Sequence, residues 1–267
     1  MRLLILFLLV LYNSALLNTL EQEAPDRVLS GYVWESDKFR AMELGEGIVN
    51  RDSMDYEELA VQMTEHDFDL TGLRANAVGT SLRFPMRNQS QILKLAEVYR
   101  KIFEDLACFP IPKNCSIYET DITYKNGWMD ERTYGGSRGH EGCDLMADQK
   151  SPGYYPVVSM SDGVIEKIGW LEKGGYRVGV RAPGGTYLYY AHLDHYADGL
   201  KENDRIHAGE LLGFVGDTGY GTEGTTWQFE PHLHLGIYIK TEHYAELSVN
   251  PYWILRYLEQ YRTCASY

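Results

Sequence analysis

Two short stretches of the chain carry side chains that could grip a metal ion: Gly139-His140-Glu141-Gly142-Cys143-Asp144 and Pro231-His232-Leu233-His234. In the first, His140 and Asp144 share a face on a helix and, their spacing being even, on a strand as well. Glycines at 135, 136, 139 and 142 disfavour the helix. They also set aside the helical HExxH zinc motif that His140-Glu141 begins, since position 144 is Asp. In the second stretch apolar and polar residues alternate as far as Ile239. On a strand, His232, His234, Gly236 and Tyr238 share one face, and Leu233, Leu235, Ile237 and Ile239 fill the other. Two imidazoles side by side at a strand end are costly to bury without a partner, so a shared metal or substrate explains them better than packing does. Two histidines and one carboxylate would leave the fourth corner of a tetrahedral zinc for water. A third place, Tyr189-Tyr190-Ala191-His192-Leu193, means little alone. His66, His195, His207 and His243 read as ordinary surface or core histidines.

The elements that must position these groups are mostly strands. From Cys115 onward, short apolar and aromatic segments alternate with Gly-rich turns: Pro156–Met160, Val164–Trp170, Tyr176–Ala182 and Thr186–Ala191. Tyr176 to Ala191 predicts one hairpin turning at Pro183-Gly184-Gly185. Further strands are expected over Glu210–Val215 and Leu233–Lys240, then an Asn250-Pro251 turn and a short helix over Tyr252–Tyr261. Upstream, the texture is helical. Ile92, Leu95, Val98, Tyr99, Ile102, Phe103 and Leu106 recur at helical spacing in a helix over Gln89–Ala107, capped by Asn88 with Gln91. Another helix is expected over Tyr56–Glu65, with Ser53 or Asp55 as N-cap. The fold class is therefore α+β: a mostly antiparallel sheet domain over 116–260, preceded by a small, mainly helical region over 21–107 with no visible chemistry and a structural role as the first expectation.

Met1-Arg2 followed by an unbroken apolar run from Leu3 to Leu11 marks residues 1–20 as an export signal or, if uncleaved, a membrane anchor; the sequence leaves that choice open. The expected location is secreted or extracytoplasmic. A net charge of −13 without a basic cluster argues against nucleic acid as a partner. Cys108, Cys115, Cys143 and Cys264 allow three pairings, among which a small Cys108–Cys115 ring is one, or buried free thiols. With no CxxC pair, a four-cysteine zinc site is not expected.

From about Tyr134 to Leu258 the chain resembles the lysostaphin/LytM-type zinc metallopeptidases, which cut peptide cross-links of bacterial peptidoglycan. The resemblance rests on ordered motifs: His140-Glu141-Gly142-Cys143-Asp144, Ser161-Asp162-Gly163-Val164-Ile165, Tyr190-Ala191-His192-Leu193, Gly213-Phe214-Val215-Gly216-Asp217-Thr218-Gly219, His232-Leu233-His234 and Asn250-Pro251. It implies that His140, Asp144 and His234 bind zinc, that His192 and His232 stand beside the attacking water, and that Tyr134 is an oxyanion donor. The partners it implies are peptidoglycan stem or cross-bridge peptides. The chain departs from that family in a longer Tyr220–Pro231 connection and in Gly236, where an acidic residue often follows. The competing readings are a catalytically silent module that binds the wall or activates an amidase, and a carboxypeptidase acting on the same peptides.

Overall fold

The computed structural model describes residues 32–49, 54–73, 89–116, 122–147 and 151–267. The export segment expected over 1–20 lies outside them, as do the caps expected at Asn88 and Ser53. No helix among the described residues is long and apolar enough to cross a membrane.

The helical region contains two single-turn helices, α1 (Asp37–Arg40) and α2 (Glu46–Val49), and two longer ones, α3 (Tyr56–Glu65) and α4 (Gln89–Phe103). α3 has the predicted bounds because Asp55 supplies a local start signal: its carboxylate accepts the Glu58 N–H at 3.0 Å. α4 stops at Phe103 rather than Ala107, since the Ala107 N–H leaves the helix to bond the Met160 carbonyl at 2.8 Å. Its predicted stripe is buried at Ile92, Leu95, Tyr99, Ile102 and Phe103. There α4 meets α3 and Phe39, whose ring centroid lies 5.2 Å from that of Tyr99.

Beyond it run β1 (Lys113–Asn114), β2 (Glu131–Arg132), β3 (Arg138–Gly139), β4 (Cys143–Met146), β5 (Pro156–Val158), β6 (Gly163–Leu171), β7 (Gly175–Arg181), β8 (Tyr187–Tyr196), β9 (Arg205–Ile206), β10 (Leu211–Val215), β11 (His232–Ile239), β12 (Leu247–Val249), α5 (Tyr252–Leu258) and β13 (Cys264–Ala265). A nine-stranded sheet, antiparallel in every pairing, runs β12-β11-β8-β7-β6-β9, with β4 also on β11 and β10 joining β8 to β5. The hairpin predicted over Tyr176–Ala191 is β7 and β8, closed by the Ala182 N–H on the Thr186 carbonyl at 2.9 Å. On β11 the alternation holds: Leu233, Leu235, Ile237 and Ile239 are buried in the core, leaving the histidine face to the other side of the sheet.

Val33–Tyr267 form one compact unit. Within it the helical region braces the site-bearing edge of the sheet. Arg40 reaches Glu141 at 2.7 Å and the Ser248 carbonyl at 3.0 Å, and its own carbonyl accepts the Asn250 N–H at 2.8 Å. The Trp253 indole N–H donates to Glu43 at 2.8 Å.

Of the pairings open to the cysteines, the structure adopts Cys115–Cys264, fixed where β1 and β13 lie parallel, while Cys108 and Cys143 are buried free thiols. The bridge spans 149 positions, so it removes a large loop entropy from the unfolded chain. The chain-entropy relation puts the stabilisation at about 5 kcal/mol. Cys264→Ser is therefore expected to lower the unfolding midpoint by several degrees in denaturant or thermal melts. An unchanged melting curve would show that the bridge carries no stability.

Candidate metal centre

His140, Asp144 and His234 come together from three pieces of backbone. The chain from Met129 to His140 is an antiparallel hairpin: the Met129 N–H donates to the His140 carbonyl at 2.9 Å and the His140 N–H to the Asp130 carbonyl at 2.9 Å. The hairpin ends at His140, so His140 and Asp144 do not share one strand; the chain turns between them and Asp144 sits on β4. β4 pairs with β11 in a register that sets Asp144 directly opposite His234. Gly142, in the intervening turn, must be glycine because a Cβ there would come within 2.6 Å of His234 Nε2 and 2.7 Å of the Leu235 carbonyl oxygen. Cys143, one residue before Asp144, points the other way into the core, where burial pushes its thiol up.

The three donor atoms form a nearly equilateral triangle: His140 Nε2 to Asp144 Oδ1 is 3.0 Å, His234 Nδ1 to Asp144 Oδ1 is 2.9 Å, and His140 Nε2 to His234 Nδ1 is 3.0 Å. His140 commits Nδ1–H to the Gly127 carbonyl at 3.1 Å, so the neutral ring turns a lone pair at Nε2 inward. Electron pairs thus converge from three sides, an arrangement that a cation relieves. A tetrahedral zinc with bonds of about 2.0–2.1 Å asks for donors about 3.3 Å apart, and these atoms need open only slightly to meet it. Among the described residues this trio is the group of acidic, histidine and cysteine side chains close enough to hold a metal.

Asp144 has a second anchor that nothing in the sequence singled out. Arg132, at the end of β2, bonds Asp144 Oδ2 at 2.7 Å and so turns Oδ1 toward the histidines. Burial works to raise the Asp144 carboxyl, but its side-chain contacts with His140 and His234 outweigh it and hold the group well below the usual carboxylate range.

His232 and His192 flank the trio. His232 Nδ1–H donates to the Glu230 carbonyl at 2.7 Å, which leaves Nε2 facing inward, 3.8 Å from Asp144 Oδ1. His192 sits on an irregularity in β8, where pairing with β7 shifts between Tyr190 and Leu193. Its φ of 62° is left-handed, and the bulge re-aims the side chain toward the centre. Its Nδ1–H donates to the Thr218 carbonyl at 2.7 Å, and its ring centroid is 4.8 Å from that of His232. Burial pushes both imidazoles down, His192 furthest, with neighbouring histidines adding to it there. Both therefore stay neutral where an exposed histidine would charge.

Aromatic rings wall this side. Phe229 touches His192 at 4.5 Å and His232 at 5.0 Å, and Tyr220 lies 5.0 Å from Phe229, all from the long Tyr220–Pro231 connection and its flank. Tyr134, at the tip of the β2–β3 hairpin, stacks flat on Tyr220 at 4.1 Å, one ring away from His192. Of the other histidines, His195, His207 and His243 pair with surface carboxylates and His66 is exposed.

The model of peptidase family M23 matches residues 138–247. An L-Ala–D-Glu endopeptidase of Bacillus subtilis is 40% identical over 172 residues, covering 64% of this chain and 50% of that protein. The glycyl-glycine endopeptidase ALE-1 of Staphylococcus capitis is 37% identical over 97 residues, 36% of this chain and 23% of that one. The chain thus spans half or less of the length of these curated relatives. A crystal structure of a Ruminococcus gnavus protein, assigned as a glycyl-glycine endopeptidase LytM, superposes with a TM-score of 0.75 at 43% identity, covering 92% of this chain and 98% of that one.

Proposed function

Because the chain belongs to peptidase family M23, we propose that it is a zinc-dependent endopeptidase that hydrolyses peptide bonds of bacterial peptidoglycan outside the cytoplasm. The observation that carries this reading is the convergence of His140 Nε2, His234 Nδ1 and Asp144 Oδ1 on one point, with two neutral imidazoles beside it. His140, Asp144 and His234 would hold the ion. When bound, zinc supplies Lewis acidity, activating a water near neutral pH and polarising the scissile carbonyl.

The chain's own groups do the rest. His232, kept neutral and tied through β11 to His234, accepts the attacking water's proton at Nε2 and passes it to the leaving amine. His192, locked by the Thr218 carbonyl, orients the water and stabilises developing charge. Tyr134 offers its hydroxyl to the oxyanion from the hairpin tip, and the Phe229 and Tyr220 rings exclude solvent. A silent wall-binding module has no need of the converging donors, so the catalytic reading is favoured over it.

Among the curated relatives, likeness to the Bacillus subtilis L-Ala–D-Glu enzyme runs over 172 residues and likeness to ALE-1 over 97, which favours the bond between L-Ala and D-Glu; the Ruminococcus gnavus protein, assigned to glycyl-glycine bonds at 43% identity, makes the glycine bridge the competing assignment. Zinc-loaded full chain incubated with purified peptidoglycan is expected to release peptides with new D-Glu amino termini, read by mass spectrometry. Products split at cross-bridges would move the assignment to the bridge, and single released residues would mark a carboxypeptidase. No hydrolysis at all would remove the enzyme.

A further inference from the structure

The face of the sheet that carries His234 also carries an arginine whose side chain has no partner among the described residues. On β7, Val178 and Val180 are buried in the core, so Arg177, Gly179 and Arg181 point to the opposite face. Across β8 the register sets Gly179 opposite Tyr189 and Arg181 opposite Tyr187; across β11 it sets Tyr189 opposite Gly236 and Ala191 opposite His234. Both arginines therefore share the face of the metal centre.

Their surroundings differ. Arg181 donates to Glu166 at 2.8 Å and to Glu246 at 3.1 Å, and its guanidinium lies 4.6 Å over the Tyr187 ring. Arg177 is half-buried, its side chain has no hydrogen bond or ion pair among the described residues, and its Nη1 is fully covered and unsatisfied. Phenolic side chains lie within reach of its charge, those of Tyr187, Tyr189 and Tyr196. Tyr189 in turn meets the His234 ring edge-on at 6.1 Å, so one side chain separates Arg177 from the centre.

A covered donor left unsatisfied is costly, and such a group in a native structure calls for an explanation. Shortage of acids is not one: the chain has 38 acidic residues against 25 basic, yet among the described residues none forms an ion pair with Arg177. Two other arginines near the centre are spoken for, Arg132 by Asp144 and Arg138 by the Tyr134 carbonyl at 2.6 Å. Arg177 is an arginine on this face left for an incoming anion.

The proposed substrate brings one. A glutamyl residue uses only one of its two carboxyls to continue a peptide, so cleavage between L-Ala and D-Glu places a free carboxylate on the residue just past the scissile bond. The planar guanidinium matches a carboxylate with two parallel N–H···O bonds, and phenols alongside can add donors. We infer that Arg177, framed by Tyr187 and Tyr189, binds the free carboxylate of an acidic residue adjoining the scissile bond and so selects acidic stem peptides over neutral glycine bridges. This deepens the peptidase reading above and rests on it.

The test compares two synthetic stem peptides, identical except that the free carboxylate of D-Glu is a carboxamide in one, with the zinc-loaded full chain. The wild type is expected to cleave the acid form with a kcat/KM about 10- to 100-fold higher, the range of one charge-assisted pairing. Arg177→Met is expected to lose that factor on the acid peptide, to stay within about twofold of wild type on the amide, and to keep its zinc content and melting midpoint; Arg177→Lys should recover part of the preference. Equal cleavage of both peptides by the wild type overturns the inference while leaving the peptidase in place, and needs no variant to fold. Equal slowing of both peptides by Arg177→Met also overturns it. A wild type that cleaves neither peptide defeats the substrate assignment and the inference together.

Discussion

Alanine in place of His140, Asp144 or His234 is expected to bring hydrolysis to background and zinc to well under one equivalent per chain. Each side chain supplies one corner of a triangle whose edges are 2.9–3.0 Å, and two remaining donors cannot enclose an ion that needs three protein ligands and one open position. Asp144→Ala does further harm, because it strands the Arg132 guanidinium that bonds Oδ2. Thermal melts separate loss of metal from loss of fold. A ligand that binds only the native state stabilises it by about 4 kcal/mol at a thousand times its Kd, so added zinc should raise the wild-type midpoint and leave the variants unmoved. Near-stoichiometric zinc in all three purified variants would refute the ligand set.

His232→Ala and His192→Ala are expected to keep zinc and lose activity by about 10² or more each, in kcat rather than in metal content. Neither ring belongs to the triangle, and each fixes its tautomer through a backbone carbonyl, Glu230 for His232 and Thr218 for His192. The pH profile carries the sign. Burial disfavours the charged form of both imidazoles, so each folded pKa lies below the ordinary value of about 6.5. The active, neutral form then persists as pH falls through 6.5, and a cation bound next to the rings pushes the same way. The acid limb of kcat/KM should therefore lie below about 6.5, and a limb at or above it would contradict neutral, buried bases. Near-normal turnover in either variant would remove that ring from the chemistry.

What the sequence disclosed was whatever short-range rules determine. α3 could be bounded because Asp55 and the apolar spacing lie within a few residues of each other, and the β11 faces could be sorted because alternation is a property of neighbours. The rest depends on pairings made far along the chain. Arg132 meets Asp144 only after the β2–β3 hairpin folds back, and no spacing announces it. His192 falls just past the strand predicted over Thr186–Ala191, whereas β8 continues to Tyr196 and the imidazole is aimed by a bulge at which the pairing with β7 shifts register. The cysteine partners are equally remote: a short Cys108–Cys115 ring competes on paper with Cys115–Cys264, and only the parallel meeting of β1 with β13 decides between them.

That crosslink makes the sheet domain a closed circle in the topological sense. All six residues of the centre, from Tyr134 to His234, fall between Cys115 and Cys264. A protease that clips one surface turn, such as the exposed Leu171–Lys173 bend between β6 and β7, opens the circle but releases nothing. His140 and Asp144 on one fragment remain tethered to His192, His232 and His234 on the other, at an effective concentration set by the crosslink rather than by dilution. A single scission therefore leaves one molecule that can close up again.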